Sequence, residues 1–235
     1  MIDWGWIGDH VGAIVARTIQ HIEFTTIAVG VGFAISFGLA LLVLSRRSLY
    51  PLISGTSGVL YTIPSLAVFA ALVSITGLTL LTAILPLVMY TLVILVRNIV
   101  AGFDATPDDV LEAADGMGYD RRERFRRVTL PLAIPLIVAG LRLATVSTIG
   151  LVTVTATLGD AFGGLGFFIL EGYHRNFPTE ILTGAVPSIL LAIVVDILFV
   201  RLQRRLTPWQ GARRERPDGG AGVAGVAASA PGFGG

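Results

Sequence analysis

The 235-residue sequence contains no cysteine and no lysine. The first absence removes disulfides, thiolate metal sites and cysteine nucleophiles together. The second leaves arginine as the basic residue throughout, beside three histidines, His10, His21 and His174, which stand far apart and lack zinc-ligand spacing. Charge of either sign is scarce: 14% of residues are charged, against about 25% in an ordinary soluble domain. No phosphate loop of the form G-x-x-x-x-G-K-S/T occurs, so the chain does not split ATP by that route. No cleaved secretory signal is expected, because Asp3, Asp9 and Arg17 interrupt the first 22 residues. What fills the sequence instead is apolar: 54% of residues are hydrophobic. A water-soluble fold of this length would expose large apolar patches, whereas a bilayer absorbs them. The net charge of +1 gives no reason to expect nucleic acid.

A spanning helix needs about 20 mainly apolar residues. Phe24 to Ser45 is uncharged and ends at Arg46-Arg47, defining span one. Ser48 to Val96 is uncharged and too long for one helix; Ser74-Ile75-Thr76-Gly77 reads as a turn, giving spans two (54–74) and three (79–99). Span four covers 128–158, interrupted by Arg142, and span five covers 181–200, interrupted by Asp196. Pro64 and Pro86 fall inside spans two and three, where bilayer helices accommodate them as kinks. The glycine-rich stretch from Gly159 to Pro178 reads as a loop or short helix dipping into the outer face, with a sixth span as the alternative.

The expectation is therefore an all-α integral membrane protein with five transmembrane helices. Alternate loops then place Arg46, Arg47, the five arginines between 121 and 127 and the C-terminal arginines on one side. Basic loops mark the cytoplasm, so the N-terminus is expected outside and the C-terminus inside. Three segments follow: 1–17 as an extracellular stretch, 18–205 as the membrane domain, and 206–235 as a disordered cytoplasmic tail, Gly- and Ala-rich with little to bury.

The longest polar segment joins spans three and four. Thr106 is a good N-cap, with Pro107 in the first helical position and Asp108 and Asp109 in the first turn, where the helix dipole favours them. Val110, Leu111, Ala114 and Met117 share a face at helical spacing, and Gly116 or Gly118 can end the helix in a left-handed conformation. Asp120 with Glu123 suggests a capping box opening a second short helix, crowded by Arg121, Arg122, Arg124, Arg126 and Arg127. Pro131 and Pro135 mark re-entry into the membrane. Asp108, Glu112 and Asp115 also have helical spacing, but no histidine joins them and the caps account for them, so no metal site is expected.

Glu112-Ala113-Ala114, then Gly118, Val128 and Leu130-Pro131 at their spacing resemble the EAA motif of type I importer permeases of the ATP-binding cassette class. Those permeases usually carry Ile where Val128 stands. Tyr61-Thr62-Ile63-Pro64-Ser65-Leu66-Ala67, Arg97-Asn98, Gly140-Leu141-Arg142 and Gly163-Gly164-Leu165-Gly166 are similar to the glycine betaine, carnitine and choline permeases, with Phe162 where a small Ala is usual. The resemblance covers roughly residues 18–205. It implies a non-catalytic permease subunit in a prokaryotic plasma membrane, paired with a second copy or a sister permease. It implies a cytoplasmic ATPase dimer that binds the ATP and Mg, and an external binding protein that delivers the solute. Carried over by position, Glu112, Ala113, Ala114, Gly118, Leu130 and Pro131 belong to the loop that docks on the ATPase. Another small polar solute, such as an amino acid, is the alternative cargo.

Among single residues, Pro64, Ser65, Arg97, Asn98 and Arg142 are candidates for lining a path or bridging helices. Arg142 either pairs with a neighbouring helix or faces a pore, since an intramembrane arginine must face protein or water. Asp196 lies near Arg201 and reads as a surface ion pair. A self-sufficient secondary transporter is disfavoured by the odd span count, the lack of a repeat and the few intramembrane acids. A membrane enzyme would need a clustered nucleophile or metal set, and none is evident.

Overall fold

The computed structural model describes residues 2–208, and the tail expected at 206–235 lies almost wholly outside them. All regular structure among the described residues is helical. A short helix, α1 (Trp4–Asp9), is followed by α2 (Val11–Ser45), α3 (Tyr50–Thr62), α4 (Ser65–Thr76) and α5 (Leu80–Asp104). Then come α6 (Asp108–Gly116), α7 (Arg121–Arg124), α8 (Leu130–Val154), α9 (Gly166–His174) and α10 (Pro178–Leu206). Four helical stretches are long and apolar enough to cross a membrane: Val11–Ser45, Leu80–Asp104, Arg121–Leu158 and Pro178–Leu206.

Helix α5 is the central and most buried of the four, packed between α2 and α8, while α10 is the least buried. Small residues allow these approaches. Gly140 lies against Asn98, where an added Cβ would come within 2.5 Å of the asparagine Cβ, and Gly102 lies against the Ala133 carbonyl. Close backbone approach matters here because lipid tails are as apolar as leucine, so helix association in a bilayer rests on dispersion and hydrogen bonds. Two apolar clusters form, one at each end of α5. Phe24, Phe69, Leu87 and Val152 build the first; Val43, Leu95, Ile99, Phe103 and Ile137 build the second.

The contacts also give helix directions. Thr91 lies against α2 at Ala28 and Gly32, and Arg47 pairs with Asp104, so α2 and α5 run the same way. Asn98 against Gly140 and Gln203 Nε2 donating to the Pro135 carbonyl make α8 antiparallel to both α5 and α10. Arg47, the 104–121 connection and the C-terminal arginines of α10 therefore gather at one end of the bundle.

Several sequence-based expectations need correction. Residues 54–74 do not form one kinked helix: the chain breaks between α3 and α4 at Ile63-Pro64. Proline disfavours the α conformation in the residue before it, and Pro64 itself is extended at φ −57° and ψ 131°. The first long helix begins at Val11 rather than Phe24. Much of 1–17 is thus helical, with α1 folded back on the bundle. Asp3 caps α1 by accepting from the Trp6 N–H, its own N–H donates to Thr179 Oγ1 at 2.9 Å, and Trp6 packs edge-on against Phe177. The segment after α8 contains the nine-residue α9, too short to span.

The second helix of the polar connection is not a separate short one. From Arg121 the helix runs on through a wider π turn over Phe125–Thr129 into α8. The Leu130 N–H bonds back to the Phe125 carbonyl, immediately before Pro131. A proline without an N–H removes the regular bond to the Arg127 carbonyl, and a π turn is one of the ways a helix absorbs such a gap.

Candidate functional site

The connection between α5 and α8 is built around a tight stop. Helix α6 ends in a Schellman motif, with the Gly118 N–H bonding to the Asp115 carbonyl at 3.0 Å and the Tyr119 N–H to the Ala114 carbonyl at 3.2 Å. Gly118 has φ +81°, a left-handed conformation that a residue with a Cβ adopts only at a cost. Of the two glycines that could have ended α6, it is therefore Gly118. The start differs from expectation. Pro107 occupies the capping position at ψ 145°, the helix begins at Asp108, and the buried Thr106 Oγ1 has no hydrogen-bond partner among the described residues. No side chain caps the helix; within its first turn the Asp109 carboxylate accepts from the Val110 N–H at 2.9 Å.

Ala114 is 1% exposed and faces the bundle, while Glu112, Ala113 and Met117 point outward. Glu112 has no ion pair or hydrogen bond among the described residues. Asp115 is held by Arg124, whose Nη1 donates to both carboxylate oxygens, tying α6 to the start of the long helix. Asp120 opens that helix as expected, accepting from the Glu123 N–H at 2.7 Å. Leu130 lies apart from this outward face and packs against the cluster containing Phe103, and Pro131 follows it in the first turn of α8. Among the described residues no group of three His, Asp or Glu is placed to hold a metal.

The candidate path residues fall in different settings. Asn98 donates to the Ile94 carbonyl at 2.8 Å and packs on Gly140, which is a helix–helix contact. Arg97 is exposed, its guanidinium lying 3.2 Å from where a Gly58 Cβ would stand. Arg142 meets Asp196 of α10 in a bidentate pair, the second contact being Nη2 to Oδ2 at 2.8 Å. Asp196 thus pairs across helices and not with Arg201. Pro64 and Ser65 line a concavity at the α3–α4 break together with Thr62, Tyr90, Ser147 and Thr148. The Tyr90 hydroxyl donates to the Ile63 carbonyl at 2.5 Å, tying the broken backbone to α5.

One residue with a structural role was invisible in the pattern. His21 is fully buried, with Nε2 at 2.9 Å from the Ile149 carbonyl and Nδ1 at 3.3 Å from the Leu165 N–H. A carbonyl can only accept and an N–H can only donate, so the ring is the neutral tautomer protonated at Nε2. It joins α2, α8 and the start of α9. No sequence signal marks this, because its partners are backbone atoms more than a hundred residues away.

Comparison with known proteins places this arrangement. The family of binding-protein-dependent transport system inner membrane components matches residues 12–210, and the chain belongs to it. The choline transport system permease protein OpuBB of Bacillus subtilis (strain 168) is 34% identical over 197 residues, covering 84% of this chain and 90% of that protein. The osmoprotectant import permease protein OsmW of Salmonella typhimurium is 34% identical over 205 residues, covering 85% and 94%. Among solved structures, the inward-facing MetNI methionine ABC transporter superposes with a TM-score of 0.71 at 21% identity, over 83% of this chain and 96% of that one. An amino acid ABC transporter with histidines gives 0.71 at 18% identity, over 87% and 99%. At these identities the structural likeness concerns the fold.

Proposed function

We propose that this chain is the non-catalytic permease subunit of an ATP-driven importer for quaternary-amine osmoprotectants such as choline, glycine betaine or carnitine. The observation that carries the reading is the similarity, along more than four-fifths of the chain, to permeases named for choline and osmoprotectant import. Two copies, or one copy and a sister permease, enclose the path. An external binding protein delivers the solute, and a cytoplasmic ATPase dimer binds ATP and Mg. The membrane domain is 18–205, with 1–17 outside and the tail from 206 inside. Five crossings are supported by α2 and α5 running in the same direction, which requires α3 and α4 together to return across the bilayer. The arginine-rich end of the bundle is then cytoplasmic.

In this reading α6 is the docking helix, and Glu112 and Ala113, which face outward, meet the ATPase, with Ala114 and Gly118 shaping the turn. Leu130 and Pro131 anchor the loop to the membrane helix. A charge-assisted hydrogen bond that the Glu112 carboxylate accepts from the partner contributes about 1.5–3 kcal/mol. Glu112→Lys should then weaken ATPase association roughly ten- to a hundredfold. Gly118→Val, which strains the turn, should act in the same direction. Both variants should reach the membrane in normal amounts, since no Cβ at Gly118 meets a neighbour and Glu112 is exposed. The measurement is co-purification of the ATPase followed by uptake of labelled choline and glycine betaine in proteoliposomes holding the whole complex. Normal ATPase binding and normal uptake by both variants would remove α6 from the docking site. A wild-type complex that takes up no quaternary amine would overturn the solute class.

A further inference from the structure

We propose that the concavity at the α3–α4 break receives the quaternary ammonium head of the solute during passage. The proposal takes its solute class from the reading above and adds the place and chemistry of a transit site. Its volume is about 270 Å³, just below the range of drug-sized ligand pockets, which begins at about 300 Å³, and suited to a small solute. Tyr90 and Ile94 contribute to it from halfway along α5, so it lies at mid-depth, between the two apolar clusters. Backbone that leaves the helical pattern at membrane depth is tolerated only where it is buried in protein or lines a water-filled cavity. Thr62, Ile63 and Pro64 are exposed on the single chain, so this break opens on a path or a partner subunit and not on lipid.

The polar lining is made of oxygen. Among the described residues its polar side-chain groups are the hydroxyls of Thr62, Ser65, Tyr90, Ser147 and Thr148, none charged and none bearing an N–H. Two of those hydroxyls have spent their protons on carbonyls, Thr62 on Val59 and Thr148 on Ala144, so lone pairs are what these two have left to offer. The break also carries both kinds of helix end, the last carbonyls of α3, partially negative, and the first N–H groups of α4, partially positive, so the two dipole ends offset each other there. A carboxylate or phosphate would find no charged side chain and no side-chain N–H among the described lining residues. A methylated nitrogen carries positive charge and has no N–H to satisfy, so diffuse oxygen contacts stabilise it without directional bonds. The absence of a full negative charge keeps the hold weak, as a transit site requires. Arg97 follows Ile94 by one turn of α5, about 4.5 Å along the axis; it is not among the described lining residues, and its guanidinium lies toward Gly58 of α3.

The chain has no cysteine, so Ser147→Cys introduces a unique thiol in it. In the assembled complex, modification of this variant is followed with the trimethylammonium-ethyl and the sulfonato-ethyl methanethiosulfonates, using mass spectrometry of the permease. Ser74→Cys, on the exposed end of α4, serves as the reference. The cationic reagent should be favoured at position 147 over the reference by about tenfold or more, and choline or glycine betaine should slow it. If Ser147→Cys fails to assemble, Ser65→Cys is read in the same way. Equal reagent preference at 147 and 74 in a complex that transports choline would overturn the transit site while leaving the importer reading intact. Cation preference at 147 in a complex that transports neither amine would support the site and overturn the solute class.

Discussion

Gly164→Ala should destabilise the permease severely, and Gly166→Ala should also destabilise it, by a different route. Gly164 has φ +51°, and a Cβ built on it would lie 2.7 Å from the His21 Cβ and 2.8 Å from its Cα. The left-handed backbone costs about 1–2 kcal/mol for a residue with a Cβ. Forcing an atom into a filled space adds about 1–3 kcal/mol. Both fall on the histidine that joins α2, α8 and α9, against a typical total stability of about 5–15 kcal/mol. Gly166 lacks the positive φ, but its Cβ would stand 2.3 Å from the Thr153 carbonyl oxygen and 2.5 Å from the Thr153 Cα, backbone that cannot rotate away. Gly77→Ala is the control, with φ +68° and open space around it, so it carries the conformational cost alone. Thermal unfolding of the detergent-solubilised protein, followed by size-exclusion chromatography, should rank Gly77→Ala far above the other two. Equal melting of Gly164→Ala and Gly77→Ala would mean that His21 is not in contact with this turn.

The glycine-rich run was visible in the sequence, but its target was not. Hydropathy located the long helices well, because twenty apolar residues have few alternatives in a chain this poor in charge. It failed at Pro64, where an apolar run conceals a change of backbone direction that only the residue before proline reports. It failed again at residues 121–131, where polar composition suggested a short helix on the surface. Helical hydrogen bonding is indifferent to that composition, and the rod passes through it. The tight turn at Gly118 was legible because its signal is local. The partners of His21, Arg142 and Asp196 were not, since each depends on how helices far apart in sequence are aligned along their axes.

Asp196→Asn or Arg142→Leu alone should sharply reduce the amount of permease in the membrane, and Arg142→Leu with Asp196→Leu should recover most of it. In the isolated chain these side chains are 42% and 34% exposed, on helices that are apolar on either side of them. A lone charge at such a depth is expensive, and removal of one partner leaves the other uncompensated. Exchange of both for apolar residues removes the requirement, as with buried ion pairs elsewhere. Exchanging the two positions, Arg142→Asp with Asp196→Arg, should restore part of the loss, because the bidentate geometry depends on side chains of unequal length. Quantitative immunoblots of membrane fractions measure all four variants. Single substitutions that accumulate like the wild type would show that the pair faces water.

The uninterrupted helix from Arg121 to Leu158 has 38 residues and is therefore about 57 Å long. A rod of that length acts as a lever. Tilting it by roughly 5° about the Asp120 cap would carry the far end through about 5 Å, one helical turn, without altering a hydrogen bond inside it. Ser147 and Thr148 lie about two-thirds of the way along this arm. Under the docking reading proposed above, Arg124, clasped to Asp115, is where a displacement of α6 would enter this rod, just before the widened turn at Phe125–Thr129. A tilt set at the polar connection would then displace one wall of the oxygen-lined break directly, with no relay of side-chain rearrangements in between.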